Sequence, residues 1–586
     1  MSVTSTTKPS AESTTAANTG AHVLVDSLIG HGLDTVFGVP GDTGINLYDV
    51  LAARTDRITH VLTRDERHSG YMADGYARTS RRLAVCEASS GAGAVYLASG
   101  LAESYASSIP VLAITTDIHR SSRESGAITE IDQIALFRSA TKWCRTAECA
   151  DDIPSLVAEA VTAALTGRPG PVALICPEDV LDEDTLAAPS IGRSDLPRYA
   201  PRATAAQITE AAAALAAAKN PAVLAGGGAH ASGAWNALRT FAEHTAIPVG
   251  TTIHGKSAFP ETHPLALGVS GGNGSRGYGT SWIAEADAVL IVGSRSNSTD
   301  TNGFTAPGHP GTTIIQIDID RARAGRNFPG SLGVVGDATE VLGQLQSALP
   351  SAPAELREQR SAAITQVRQA WAEETSTELP AVAPGVLQPR EIVRTLHRVH
   401  GDGSWVAADP GTPTPNLSAY WDTDGTNWRV VIPRGHGPMG FSISAAIGIA
   451  IGHPGERVLC LTTEGSLAMG IGDWETATRL HLPITYVVLD NSSFAWIKML
   501  QHLFMQRRYF QVDPGPIDPV LLGRGMGLAS HRADDLDELE LLASQAIASA
   551  GPAVIHVRVP EHSDSPPPVA PWQAAIADPA TGRPVY

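Results

Sequence analysis

The feature that most constrains the fold is a series of short apolar segments that recurs along almost the whole chain, with helical patterns between them. Each segment is apolar on both faces, and most end at or close to Gly, Asp or Asn. Strands of this kind, alternating with helices, form parallel sheets that are covered on both sides. The sequence therefore predicts an α/β protein built from doubly wound parallel sheets. The predicted strands are 35–39, 83–86, 110–115, 171–176, 222–225, 288–292, 313–317, 405–408, 457–462, 484–489 and 552–557.

Two segments interrupt this pattern. Residues 187–202 contain three prolines and little periodicity, and residues 349–384 hold a helix-like stretch followed by a Pro-rich tract. We interpret both as linkers, because each block between them has the size of one α/β domain. The predicted organisation is a disordered N-terminus (1–20), a first domain (21–186), a linker (187–202), a middle domain (203–348), a linker (349–384), a third domain (385–560) and a Pro-rich tail (561–586). The tail is either disordered or covers another surface.

Charge and hydropathy exclude several kinds of partner. The chain carries 42 Lys and Arg against 60 Asp and Glu, a formal charge of −18, so neither nucleic acid nor a membrane surface is expected as a partner. No apolar run approaches the ~20 residues of a membrane span, and the polar N-terminus lacks the apolar segment of a secretory signal. The five cysteines are scattered, and we expect Cys86, Cys176 and Cys460 to be buried thiols. These features predict a cytoplasmic protein.

The third block places polar residues directly after two predicted strands. Residues 463–466 (Thr-Glu-Gly-Ser) follow strand 457–462, and residues 490–493 (Asp-Asn-Ser-Ser) follow strand 484–489. One helix and one strand separate them, so we expect the two strand ends to be neighbours in the sheet. Carboxylate, amide and carbonyl oxygens suit Mg²⁺, whose octahedron diphosphate oxygens can complete, and a helix starting here can hold a phosphate. Each piece taken alone is also typical of an ordinary turn.

Taken together, these segments resemble a known superfamily. Residues 463–493 are similar to the thiamine diphosphate motif of the acetolactate synthase, pyruvate oxidase and benzoylformate decarboxylase superfamily, which reads Gly-Asp-Gly, some two dozen residues, then Asn-Asn. The resemblance extends in order over roughly residues 20–560. It includes 36–41 (Val-Phe-Gly-Val-Pro-Gly), the catalytic-Glu helix in 64–78, 89–93, 108–114, 226–228, 316–320 and 437–441.

The resemblance implies a role for each matching residue. Glu66 would be the catalytic residue that hydrogen-bonds the aminopyrimidine ring of thiamine diphosphate and relays its proton, and burial would favour its protonated form. Met439 would support the bent cofactor, and the Gly437 carbonyl would accept a hydrogen bond from its amino group. The residues implied to bind the diphosphate are Gly411, Thr412, Gly465 and Ser466. Those implied to hold both cofactor and Mg²⁺ are Glu464, Asn491 and Ser493.

The sequence departs from the superfamily at several of these positions. Glu464 stands where Asp is usual and Thr463 where Gly is usual, and Mg²⁺ tolerates little change in ligand position. We nevertheless expect thiamine diphosphate and Mg²⁺ to bind. Leu500 falls where acetolactate synthases carry a Trp, 412–415 (Thr-Pro-Thr-Pro) replaces their Gln/His pair, and 128–130 (Ile-Thr-Glu) replaces Phe-Gln-Glu. These replacements weaken the expectation of ordinary acetolactate synthesis.

Three further residues are candidates for binding the substrate. Lys498 could pair with a carboxylate or phosphate, or it could be a solvated helix residue. Glu87 follows an apolar strand, so if it is buried it is either paired or functional. His436 stands next to Gly437, and it could face either the cofactor or solvent.

The predicted function is decarboxylation of a 2-oxo acid, with transfer of the resulting enamine to an acceptor carbonyl. Simple 2-oxo acid decarboxylation is the first alternative, and a catalytically silent ligand-binding relative is the second. Flavin adenine dinucleotide (FAD) is disfavoured, because the turns 268–276 and 293–295 match the flavin-binding members only loosely. The resemblance also implies a homodimer or homotetramer, with each active site formed between two chains.

Overall fold

The protein folds into three consecutive six-stranded parallel sheets. Its structure is a computed structural model that describes residues 18–308, 311–376 and 379–583. Helices cover both faces of each sheet, as expected for strands that are buried on both sides. The predicted α/β fold with three doubly wound sheets is confirmed.

The first sheet has the strand order β3-β2-β4-β5-β7-β6. Asn18 and Thr19 already form strand β1, so ordered structure begins before the predicted start at residue 21. Residues 1–17 of the segment predicted to be disordered lie outside the described residues. The elements are β1 (Asn18–Thr19), α1 (Gly20–Gly30), β2 (Thr35–Gly38), α2 (Ile45–Ala52), β3 (Thr59–Leu62), α3 (Glu66–Ser80), β4 (Ala84–Ala88), α4 (Ala92–Ser107), β5 (Val111–Asp117), α5 (Gln133–Phe137), β6 (Cys144–Thr146), α6 (Ile153–Leu165), β7 (Val172–Pro177), α7 (Glu178–Asp182) and β8 (Asp184–Thr185), which pairs with β1.

The middle sheet has the order β11-β10-β9-β12-β13-β14. A long helix, α13, lies within the segment 349–384, which was predicted to be a linker with a helix-like stretch. The elements are α8 (Ala205–Ala217), β9 (Pro221–Ala225), α9 (Gly227–Ser232), α10 (Trp235–Thr245), β10 (Val249–Thr251), β11 (Ala266–Val269), α11 (Gly277–Glu285), β12 (Ala288–Val292), β13 (Thr313–Asp318), β14 (Leu332–Val335), α12 (Ala338–Ala348) and α13 (Ala354–Glu374).

The third sheet has the order β16-β15-β17-β18-β20-β19. The elements are α14 (Pro389–His400), β15 (Trp405–Ala408), α15 (Pro413–Tyr420), β16 (Val430–Val431), α16 (Phe441–Gly452), β17 (Val458–Thr463), α17 (Glu464–Gly470), α18 (Asp473–Arg479), β18 (Ile484–Asp490), α19 (Ala495–Phe504), α20 (Pro519–Gly525), β19 (Ala529–Ala533), α21 (Leu536–Ala548), β20 (Ala553–Arg558) and α22 (Ala570–Ala577).

The first and third sheets share one apolar core, which places their strand ends close to each other. Helices α3 and α16 cross at its centre, and glycines permit the close approach. A Cβ atom on Gly448 would lie 1.9 Å from the Met72 carbonyl oxygen, and one on Gly75 would lie 2.4 Å from that of Ala445. The backbones of the two helices are therefore in direct contact.

The tail packs against the third sheet's helix α19. Trp572 of α22 lies against Trp496, with ring centroids 4.1 Å apart, so this part of the tail covers another surface, which is one of the two predicted alternatives. In the stretch 18–583, apart from its two short gaps, no helix combines the length and apolarity that spanning a membrane requires. Cys86, Cys176 and Cys460 are buried free thiols, as predicted.

Candidate active site

The two polar strand ends of the third sheet meet as predicted. Strands β17 and β18 are parallel neighbours, with Thr463 opposite Leu489. The Thr463 side chain accepts a hydrogen bond from the Ser466 N–H at 3.2 Å and so fixes the start of α17. Glu464, Gly465 and Ser466 therefore begin a helix at the carboxyl edge of the sheet, where α/β proteins bind ligands.

A cavity of about 600 Å³ opens at this edge. It is large enough for a cofactor, since ligand pockets usually measure ~300–1,000 Å³. The third sheet and the middle domain both contribute to its wall. Of the residues predicted from the sequence, those that line it are Gly411, Thr412, His436, Gly437, Met439, Gly465, Asn491 and Ser493.

The lining has the features that a bent, diphosphate-bearing cofactor requires. A Cβ atom on Gly465 would lie 3.3 Å from the Met439 Cε atom and 3.1 Å from the Phe494 ring, so glycine keeps this part of the cavity open. The Ser466 side chain is buried outside this lining, next to the Asp409 carboxylate. These residues fit thiamine diphosphate.

Glu464 and Asn491 could hold a cation beside the diphosphate. The Glu464 carboxylate is buried and accepts a hydrogen bond from the Ser493 N–H at 3.0 Å. Burial, and then the charge of Asp490, raise the pKa of Glu464 to about 7. No group of three or more His, Cys, Asp or Glu side chains in the described residues could hold a metal alone. A Mg²⁺ ion here would therefore need diphosphate oxygens and a backbone carbonyl as further ligands.

Asp490, close to Glu464, has partners of its own in the protein. Its carboxylate accepts a hydrogen bond from the Ser492 N–H at 2.8 Å and lies 2.9 Å from His556 Nε2. Burial opposes ionisation, but the bonds to His556 and Ser492 hold the pKa of Asp490 below its usual range. Asp490 is therefore satisfied by the protein itself, and Glu464 is the carboxylate that faces the Ser493 loop.

Glu103, which the sequence did not single out, holds the turn before Met439. Its fully buried carboxylate accepts hydrogen bonds from the N–H groups of Gly435, His436 and Gly437 at 2.9, 2.7 and 3.2 Å. Arg78 donates to the same carboxylate at 3.2 Å. The first domain thus fixes the turn that carries the Gly437 carbonyl. In the sequence Glu103 looks like any helix charge, so no local signal reveals this role.

Glu66 does not line the cavity of its own chain. It is the first residue of α3 and is half-buried, and burial raises its pKa above the usual range for a carboxyl group. A Cβ atom on Gly93 would lie 3.2 Å from the Glu66 Oε1 atom, so glycine leaves room for this side chain. Within one chain, the predicted catalytic residue Glu66 therefore lies outside the cavity that the predicted cofactor residues line.

Glu87 is buried and paired, which is one of the two alternatives predicted for a buried carboxylate at this position. It accepts a hydrogen bond from the Tyr48 hydroxyl and lies 3.2 Å from His60 Nε2. Burial raises its pKa above the usual range, and these two partners only partly oppose that effect. Glu87 does not line the cavity.

Lys498 also lies outside the cavity lining. Its Nζ atom donates to Asp513 at 2.6 Å and to Glu561 at 2.7 Å, so it forms ion pairs with a loop and with the tail. Next to Glu561, the buried His562 lies 3.0 Å from the Thr412 hydroxyl, and burial lowers the pKa of His562 to about 4. The tail thus contacts a residue that lines the cavity.

A second, smaller cavity of about 110 Å³ lies at the carboxyl ends of the middle-sheet strands, beside the turn at Gly228. Its polar side chains bond to the protein itself. Arg295 donates to the Ala106 carbonyl oxygen at 2.9 Å, and Asp300 accepts from the Ser294 hydroxyl at 3.0 Å.

Each of the three sheets matches a part of one enzyme family. Residues 18–136 match the thiamine pyrophosphate enzyme, N-terminal TPP binding domain. Residues 208–345 match the central domain and residues 409–557 the C-terminal TPP binding domain of the same enzymes. Together with the fold and the cavity, these matches define a thiamine diphosphate (thiamine pyrophosphate) enzyme.

Relatives of similar length narrow this class. The chain is 31% identical to the probable acetolactate synthase large subunit of Methanocaldococcus jannaschii, over 92% of this chain and 91% of that one. It is 30% identical to the acetolactate synthase of Arthrospira platensis (94% and 96%) and 30% identical to the acetolactate synthase isozyme 1 large subunit of Escherichia coli (95% and 96%). The chain belongs to the family of thiamine diphosphate enzymes that includes these acetolactate synthases.

Proposed function

We propose that this enzyme decarboxylates a 2-oxo acid and joins the remaining fragment to the carbonyl carbon of an acceptor. The donor loses CO₂, its former keto carbon forms a bond with the acceptor carbonyl carbon, and the acceptor oxygen takes up a proton. No oxidant or reductant is needed. When bound, thiamine diphosphate supplies a nucleophilic carbon and accepts the electron pair that CO₂ leaves behind.

The observation that carries this proposal is the cavity of about 600 Å³ that brings together the cofactor residues of the third sheet. We assign Gly411, Thr412 and Ser466 to the diphosphate. Met439 would support the two rings, and the Gly437 carbonyl would orient the amino group. The apolar side chains beside these groups would limit water, which would otherwise protonate the reacting carbon.

Mg²⁺ is proposed as the metal, with Glu464, Asn491 and the Ser493 carbonyl as its protein ligands. All three are oxygen donors, which a hard cation prefers. The extra methylene of Glu464 places its carboxylate beside the 491–493 loop, where it already receives the Ser493 N–H. The proposal predicts Mg²⁺-dependent binding of thiamine diphosphate in calorimetry. No such dependence at millimolar metal would contradict it.

Glu66 is proposed to reach the cavity of a second copy, so that the enzyme is a homodimer or homotetramer. Large apolar side chains are exposed in the first domain (Ile45 at 66% and Tyr96 at 53%) and beside the cavity (Ile497 at 50%). Contact with a second copy would remove these side chains from water. Mixing inactive Glu66→Gln chains with inactive Glu464→Ala chains should restore activity, because one hybrid site is intact. An absence of restoration in mixed oligomers would refute shared sites.

The product distribution tests the proposed reaction. A panel of 2-oxo acids and aldehydes, analysed by mass spectrometry, should yield coupled hydroxy ketones or hydroxy oxo acids together with CO₂. Release of the aldehyde alone would instead identify a decarboxylase, and no turnover would identify a silent relative. We also propose that the enzyme works without FAD, so the purified protein should be colourless. Its five free cysteines suit a reducing compartment such as the cytoplasm.

A further inference from the structure

Two consecutive residues of the tail bond to residues that line the larger cavity. Glu561 accepts a hydrogen bond from the Ser493 hydroxyl at 2.9 Å, and its other carboxylate oxygen accepts from Lys498 at 2.7 Å. His562 Nε2 lies 3.0 Å from the Thr412 hydroxyl. Ser493 and Thr412 follow strands β18 and β15, which lie on either side of β17 in the sheet. The tail therefore joins two strand ends that carry predicted cofactor residues.

The imidazole of His562 is held in place by its neighbours. It is 2% exposed and lies against Trp572 and Trp496, with ring centroids 5.7 and 6.4 Å away. Trp572 is fully buried, and Trp496 lines the cavity. A group that packing already holds loses little freedom when a ligand arrives. Nε2 is therefore presented to Thr412 from a fixed position.

The partners of the imidazole decide which ring nitrogen carries the proton. Burial lowers the pKa of His562 to about 4, so the ring is neutral near pH 7 and has a single N–H group. Among the described residues none bonds to the buried Nδ1 atom, whereas Nε2 faces the Thr412 oxygen. A buried N–H without a partner is rarer than an unpartnered acceptor, which assigns the proton to Nε2. His562 then donates to Thr412 and leaves the hydroxyl hydrogen of Thr412 available to a ligand.

This hydroxyl gains importance because the backbone next to it lacks donors. Helix α15 begins at Pro413, and Pro415 follows two residues later. Proline has no backbone N–H, so two of the four N–H groups that a helix start normally offers to an anion are missing. The Thr412 hydroxyl lies directly before this helix, in the cavity lining. It is therefore the donor that an anion at this strand end would meet first.

We propose that His562 is a positioning residue for the cofactor, which orients the Thr412 hydroxyl so that it donates to the diphosphate of thiamine diphosphate. This inference rests on the proposed function, which assigns Thr412 to the diphosphate. A diphosphate oxygen only accepts, so Thr412 must donate to it and can accept only from His562. Hydrogen bonds in such a chain strengthen each other. The tail thus adds to cofactor affinity without touching the cofactor.

Calorimetric titration of the cofactor-free, full-length protein with thiamine diphosphate at saturating Mg²⁺ tests this role. His562→Phe keeps an aromatic ring but removes the N–H, and it should raise the Kd by about 3- to 10-fold, the effect of losing one neutral hydrogen bond. His562→Gln keeps an N–H group and should stay within about twofold of the wild type. Thr412→Val should raise the Kd by about 10- to 100-fold, because it removes a bond to a charged group.

The double variant Thr412→Val, His562→Phe separates positioning from a purely structural role. If His562 acts through Thr412, the second substitution should change the Kd of Thr412→Val by less than about twofold. A structural role would instead weaken binding equally in both backgrounds. Equal effects in both backgrounds, or no recovery of affinity in His562→Gln, would overturn the positioning role.

The remaining outcomes distinguish this inference from the proposed function. His502→Phe is the matched control, because His502 lies beside the Tyr509 hydroxyl outside the cavity lining and should leave the Kd unchanged. A wild-type Kd in His562→Phe, with weakened binding in Thr412→Val, would overturn the role of His562 and leave the proposed function intact. Unchanged binding in Thr412→Val would overturn the assignment of Thr412 to the diphosphate. A wild type that does not bind thiamine diphosphate would overturn the proposed function as well.

Discussion

Replacing Glu103 by Gln should loosen the turn that carries the cofactor contacts. The carboxylate accepts hydrogen bonds from three backbone N–H groups, from Arg78 and, at 2.6 Å, from the Ser107 hydroxyl. Gln keeps one accepting oxygen and turns an NH₂ group toward the remaining donors. At least one buried charged hydrogen bond is lost, and removing one partner of such a buried network costs about 3 kcal/mol.

Hydrogen–deuterium exchange of the peptide spanning 434–441 measures this cost locally. Because 1.4 kcal/mol corresponds to a factor of ten, a cost of about 3 kcal/mol predicts exchange about 100-fold faster at the N–H groups of 435–437. The affinity for thiamine diphosphate should fall with it. Ser107→Ala is the matched control, since it removes one side-chain donor and leaves the three backbone bonds in place. Its effect should stay below about tenfold. Unchanged exchange in Glu103→Gln would refute the anchoring role.

Three other substitutions test packing, charge and cofactor binding. Gly448→Ala should destabilise the protein by about 3 kcal/mol in thermal unfolding, because its Cβ would lie 1.9 Å from the Met72 carbonyl oxygen. The control is Gly343→Ala in helix α12, whose Cβ would meet nothing within 4 Å and which should stabilise the protein by about 0.5–1 kcal/mol. Equal effects of the two substitutions would contradict the close contact between the helices. Because burial raises the pKa of Glu87 in the folded state, the unfolded state loses this proton first, so stability should fall as pH rises above the usual carboxyl range. Glu87→Gln should flatten this fall in melting temperature. An unaltered pH dependence would show that Glu87 does not contribute. Ser466→Ala should weaken thiamine diphosphate binding about tenfold in a fluorescence titration, because the proposed hydrogen bond from the Ser466 hydroxyl to the diphosphate would be removed. An unchanged affinity would contradict the assignment of Ser466 to the diphosphate.

Most of the fold could be predicted from apolar patterning, but only where strands are buried on both faces. All eleven predicted strands correspond to interior strands, and within the described residues the only interior strand not predicted is the three-residue β10 (Val249–Thr251). The six edge strands escaped prediction. The two-residue β16 (Val430–Val431) is buried but too short to give a pattern. In β19 (Ala529–Ala533), polar and exposed residues interrupt the pattern.

The residues of the candidate site also differ in how far the sequence alone predicts them. Residues that follow buried strands, such as Glu464 and Asn491, are local in sequence and could be located by their spacing. Glu103 could not, because its role depends on contacts between the first and third domains. Lys498 was a candidate for binding the substrate, but Asp513 and the tail residue Glu561 pair with it, and no local pattern predicts these ion pairs.

The stoichiometry of CO₂ release tests the central claim most directly. The protein, freed of cofactor and resupplied with thiamine diphosphate and Mg²⁺, is given a single 2-oxo acid, and CO₂ is measured against substrate consumed. Carboligation to a second 2-oxo acid predicts one CO₂ for every two substrate molecules, and none when either cofactor or metal is withheld. One CO₂ for every substrate molecule, with free aldehyde as the product, would contradict the carboligase, and consumption without thiamine diphosphate would contradict the site itself.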